Sequence, residues 1–179
     1  PFDNKNELQV VIDLPEGSTR EMTDAVAREV EGLFRTVPEV RDFTTIVGAA
    51  SPMDFNGLVR HYYLRQGAHV ADIRINLLHR KARKADSHAI ALRVRNDLAA
   101  IGRRTGANLK LVEAPPGPPV LSTLVAEVYG RPGMEYAELI AAAKTVRARM
   151  ELEPGVVDVD DMVEADRTRW IFETDREKA

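Results

Sequence analysis

The sequence contains no cysteine, which removes disulfides, thiolate metal sites, cysteine nucleophiles and dithiol redox motifs from consideration together. It has no apolar run approaching the roughly 20 residues needed to span a bilayer. Net charge is also small, and −3 argues against a general affinity for nucleic acid or anionic lipid. His61, His69, His79 and His88 show no i, i+3 or i, i+4 pairing, so no metal site is expected from them, and no cofactor either. No Ser–His–Asp or nucleophilic Cys constellation is evident, which points away from an enzyme.

What is present is an ordinary globular composition, 44% hydrophobic and 30% charged, in 179 residues, enough for one large or two small domains. A chain that begins Pro-Phe-Asp with no leader reads as a piece of a longer product. Within it a strand–helix–strand pattern occurs twice, at a constant offset of 116 residues, as from Leu8 to Leu124. Ile12, Gly17, Ala27, Val30, Pro38, Val40 and Asp42 recur as Val128, Gly133, Ala143, Val146, Pro154, Val156 and Asp158.

In the first copy, alternation predicts a strand over 8–14. A capping box at Ser18-Thr19-Arg20-Glu21 opens a helix whose stripe is Met22, Val26, Val30, Leu33, Phe34 and Val37, and Pro38 ends it. Strands are predicted over 40–47, 70–78 and 108–113, with a second helix over 87–105 ending at Gly106. The order βαββαβ predicts an α+β fold, a ferredoxin-like antiparallel sheet with both helices on one face. Pro115-Pro116-Gly117-Pro118-Pro119 then forms a stiff extended join. The second copy is predicted as strand 122–129, helix 135–152 and strands 156–162 and 168–174, a truncated unit lacking its second helix and last strand.

Asp3-Asn4-Lys5 before the first strand, the turn Leu14-Pro15-Glu16-Gly17, the Pro-rich join before Ser122-Thr123-Leu124, and the closing Thr174-Asp175 with Lys178-Ala179 are a combination that resembles the second periplasmic half of resistance–nodulation–division (RND) efflux permeases. The resemblance covers essentially the whole chain. It implies that residues 1–114 are the first C-terminal porter subdomain, 115–121 the join, and 122–179 the first half of the second subdomain. It further implies a homotrimeric proton antiporter at the periplasmic face of a bacterial inner membrane, working with a periplasmic adaptor and an outer-membrane channel to export small amphiphilic compounds. Proton-relay residues would lie in transmembrane helices, outside this sequence. An isolated fragment is expected to pair as a homodimer through its C-terminal half. The alternatives are the heavy-metal branch of the family and a stand-alone ferredoxin-like binding or regulatory module.

The long connection over 48–71 is glycine-bearing and partly apolar, the character of a functional loop. By resemblance, its segment 48–58 takes the place of the family's switch loop, giving Phe43, Gly48, Ser51, Met53, Phe55 and Ile73 as candidate cleft residues. The drug-pump pattern carries more phenylalanines there. Here Thr44, Thr45, Ala49 and Ser51 take those neighbourhoods. Three further features read as structural: Tyr63 and Leu64 as a packed loop segment, the basic run from His79 to Lys84 as a solvated loop, and Asp158, Asp160, Asp161, Glu164 and Asp166 as an exposed strand face. An RNA-recognition module would need aromatics on central strands, and residues 70–77 have none. An acylphosphatase-like reading is opposed by Glu16, which would repel phosphate at the first helix's N-terminus.

Overall fold

The computed structural model describes residues 3–52, 54–59, 61–114, 124–161, 163 and 170–174, without the side chains of Phe55 and Asn56. The elements are β1 (Glu7–Asp13), α1 (Arg20–Arg35), β2 (Val40–Ala49), α2 (Phe55–Val59), β3 (Gln66–Leu77), α3 (Ser87–Thr105), β4 (Asn108–Glu113) and α4 (Tyr136–Glu151). The strands form one antiparallel sheet in the order β2-β3-β1-β4. The protein is therefore α+β, with a sheet order compatible with the ferredoxin-like arrangement anticipated from the element sequence. No described helix is long and apolar enough to cross a membrane.

Alternation along each strand sends one set of side chains under the helices. Leu8, Val10 and Ile12 of β1 join Ile73, Ile75 and Leu77 of β3, with Val26, Ala27, Val30 and Phe34 of α1 and Ile90, Val94 and Leu98 of α3, in a single core. The α1 stripe departs from expectation at its start. Met22 is exposed, and Thr23 is buried instead, donating its hydroxyl to Ala68 O at 2.7 Å and so tying the helix to β3. The N-cap is Thr19, one residue later than the predicted box, and its hydroxyl accepts from Met22 N at 3.3 Å. In α3, Asp86 caps Ala89 N at 2.7 Å, and Gly106 closes the helix at a φ of +73° that favours glycine.

The second copy differs from its expected strand–helix–strand–strand form. Its helix is present, but the described residues 124–130, 156–161 and 170–174 are not in strands. The sheet order supplies the physical reason. β1 and β2 never pair with one another, because β3 lies between them. Strands equivalent to β1 and β2 thus have no ladder to join unless a third strand enters between them, whereas a helix satisfies its own backbone hydrogen bonds. α4 is built from such local terms. It is alanine-rich, carries a reciprocal capping box between Glu135 and Glu138, and has the i, i+4 pair Arg147–Glu151 at 2.9 Å, yet none of its residues is buried. The Pro-rich join at 115–119 lies outside the described residues.

Candidate functional site

The face of the sheet away from the helices is also buried over much of its area. Val11 of β1 sits opposite Asp72 of β3 on one side and Lys110 of β4 on the other. Val11 and Asp72 are fully buried, and Gln9 and Val70 on the same face nearly so. The described residues of the connection between β2 and β3, residues 50–52, 54–59 and 61–65, are fastened to this face by charge.

Asp72 is the central acceptor. Its Oδ1 accepts from Gln9 Nε2 at 2.8 Å and its Oδ2 from Ser51 N at 2.9 Å. Arg65, from the far end of the connection, bridges the next row. Its Nη2 donates to Asp13 Oδ1 at 2.6 Å and to Ile12 O at 2.8 Å, and its Nη1 stands 3.8 Å from Asp72 Oδ2. That Nη1 is buried without a hydrogen-bond partner. Asp13 Oδ2 accepts in turn from Lys110 Nζ at 3.2 Å. On the neighbouring row Arg74 Nη1 donates to Asp54 Oδ2 at 2.5 Å, while Asp54 Oδ1 accepts from Gly57 N at 2.6 Å and starts α2.

Burial pushes the Asp13 carboxyl up, but Arg65 and Lys110 outweigh it and hold Asp13 below the usual carboxylate range. The same contest runs at Asp54, where burial is opposed by the Gly57 amide and Arg74, and the result is again a lowered value. Burial penalises the charge on Lys110, yet Asp13 and Asp160 keep its pKa raised. Asp13, Asp54 and Lys110 therefore keep their charges across the neutral range, and the network's contacts fix the connection's path across the sheet. The network offers no nucleophile beside a base. No group of three or more His, Asp or Glu among the described residues has a metal-holding arrangement.

Among the described residues, the predicted cleft positions Phe43, Gly48, Ser51 and Ile73 lie in different surroundings. Phe43 lies half-buried on β2 against the core, with the Arg35 guanidinium 5.5 Å from its ring centroid. Ile73 is fully buried under the helices. Ser51 belongs to the opposite, charged face. Gly48 has a φ of +91°, a conformation that favours glycine, and a Cβ there would lie 2.9 Å from Arg20 Nη2, so the Arg20 guanidinium would also have to shift. Met53 and the Phe55 side chain lie outside the described residues, although the Phe55 backbone opens α2. A shallow cavity of 330 Å³ lies elsewhere, around Lys5, Arg41 and His79, and none of the predicted cleft residues lines it.

Other readings of the loops are corrected. Tyr63 and Leu64 are exposed, and it is the Arg65 side chain beside them that is mostly covered. In the basic run, Arg83 is an anchor, donating to Leu78 O at 3.0 Å, Ala85 O at 2.6 Å and Lys5 O at 2.6 Å. Asp158 and Asp160 are exposed as expected, but they are not in a strand, and with Asp161 they pair with Arg95, Lys110 and Arg147. Glu164 and Asp166 lie outside the described residues. Lys110 and Asp72 belong to no motif in the sequence. The available signal was a charged residue inside an otherwise apolar alternating run, Val70-Ala71-Asp72-Ile73 and Leu109-Lys110-Leu111.

No protein-family model matches the chain, and a search of curated proteins gives no significant match.

Proposed function

We propose that the chain is a non-enzymatic periplasmic porter segment of an RND-type efflux permease, forming part of the cleft through which amphiphilic compounds pass. The observation that carries the reading is the connection over 50–65. It lies across the charged face of a rigid sheet, held by Ser51–Asp72, Asp54–Arg74 and Arg65–Asp13, as a loop facing a transport cleft would be held. In this reading residues 1–114 are the first C-terminal subdomain, and 122–179 open a second copy that a later part of the parent chain completes. The parent is a homotrimer at the bacterial inner membrane, with a periplasmic adaptor and an outer-membrane channel.

The cleft assignment rests on the loop residues Gly48, Ser51, Met53 and Phe55. Phe55→Ala and Met53→Ala in the full transporter change which amphiphiles are exported while membrane abundance stays constant. A core role gives the opposite, a fall of abundance and of all export together. Apolar helices encoded immediately before Pro1 support the reading, and a start codon there defeats it. The isolated fragment, in the same reading, pairs through its C-terminal half around Val157, Trp170 and Phe172, all exposed. Sedimentation that remains monomeric at high concentration rejects that pairing.

A further inference from the structure

The acidic segment after α4 alternates between two partners. Asp158 Oδ2 accepts from Arg95 Nη1 of α3 at 2.6 Å. Asp160 accepts from Asn108 Nδ2 at 3.4 Å and pairs with Lys110 Nζ. Asp161 turns the other way, where its Oδ2 accepts from Arg147 Nη1 of α4 at 2.9 Å and its Oδ1 from Val163 N at 2.9 Å. Asp158 reaches Arg95 from a left-handed backbone with φ of +55°, a region that Asp tolerates better than most residues.

Asn108 and Lys110 project from the same face of β4 at a spacing of two, and both hold the one carboxylate of Asp160. β4 is an edge strand, so the segment arrives where the sheet has no further neighbour. No residue of α4 is fully buried, and its apolar stripe of Leu139, Ile140, Ala143, Val146 and Met150 is only half-buried, so the helix has no tight core of its own to hold it.

We propose that Arg95, Asn108 and Lys110 form a docking surface for a short acidic segment with carboxylates two residues apart, and that its occupant is the chain's own Asp158-Val159-Asp160, which latches α4 to the sheet. The latch ends in the charge network rather than on open surface. Lys110 has a side chain only 12% exposed and shares its ammonium between Asp160 and Asp13, so docking of the segment completes the coordination of a buried cation. Burial works against the Lys110 charge, and the two carboxylates outweigh it. The inference concerns contacts within the chain and stands independently of the transport reading.

Because the chain has no cysteine, a pair of introduced cysteines can be labelled specifically. Ala99→Cys on α3 and Ala148→Cys on α4 are both exposed positions for spin labels. The full chain is expected to give one narrow inter-label distance. Asp158→Asn with Asp160→Asn, which replaces none of Asp13, Arg65 and Asp72 and leaves Lys110 its Asp13 partner, shifts it to a broad, longer distribution. Arg95→Asp alone broadens it as well, and Arg95→Asp combined with Asp158→Arg restores the narrow peak, which a general loss of structure would not. An unchanged distribution in the double Asn variant overturns the latch, as does a broadening that the reversed pair fails to restore.

Discussion

The two copies of the repeat share their apolar positions but not their fate. In the first, Val30 and Phe34 of α1 are fully buried beneath a four-stranded sheet. In the second, the corresponding Val146 and Met150 lie on a helix with no buried residue, and the flanking Leu124, Val125, Val157 and Phe172 are exposed. The difference teaches that a strand–helix–strand pattern is not a folding unit in this topology. Its two strands are held apart by a third that comes later in the chain, so the first half alone has nothing to pair, and only the helix, whose hydrogen bonds are local, survives. What the first copy gains from β3 is both the missing neighbour and the surface on which α1 packs.

The sharpest way to break this comparison is to make the same truncation at matched positions. Phe34→Ala empties a fully buried site and is expected to cost about 3–5 kcal/mol in urea unfolding. Met150→Ala, its partner in the repeat, truncates a side chain that is only half-buried and should cost about 1 kcal/mol or less. Equal losses would mean that α4 is packed as α1 is, and the contrast between the copies would fall.

The elements of the first copy were legible because each had a local signal. Period-two alternation marked β1, β3 and β4, capping groups and proline bounded α1, and Gly106 closed α3. β3 is longer than its pattern, beginning at Gln66 rather than Val70, because pairing with β2 extends it past the apolar run, with Ala49 opposite Gln66. Short α2 had no periodic signal at all and is set by Asp54 capping Gly57. The strands of the second copy were misread for a related reason. Their residues have the right pattern, but strand formation depends on a partner that no local window contains. The charge network escaped for the same cause, since Asp13, Arg65, Asp72 and Lys110 are scattered along the chain and meet only through sheet register.

A finer test compares one cation from each copy. Arg65 and Arg147 each serve two carboxylates, Asp13 and Asp72 in the first case, Glu151 and Asp161 in the second. The environments differ, with the Arg65 side chain 15% exposed and that of Arg147 35%. Arg65→Met leaves two carboxylates on a largely buried face without their shared cation, at a cost of about 3 kcal/mol. Arg147→Met removes water-screened pairs and should cost about 0–1 kcal/mol.

The acid limb of the stability curve separates these roles further. In the wild type Asp13 has a folded pKa below its unfolded value of 3.8, so its contribution is complete above that pH and fades only as pH falls through the lower folded value. Without Arg65, one of the two cations that together outweigh burial is lost, only Lys110 remains, and the folded pKa rises. Arg65→Met is therefore expected to begin losing stability at a higher pH than the wild type, whereas Arg147→Met follows the wild-type acid limb. An acid midpoint for Arg65→Met that coincides with the wild type would show that Lys110 alone holds Asp13 ionised, and that Arg65 anchors the connection through Ile12 O rather than through charge.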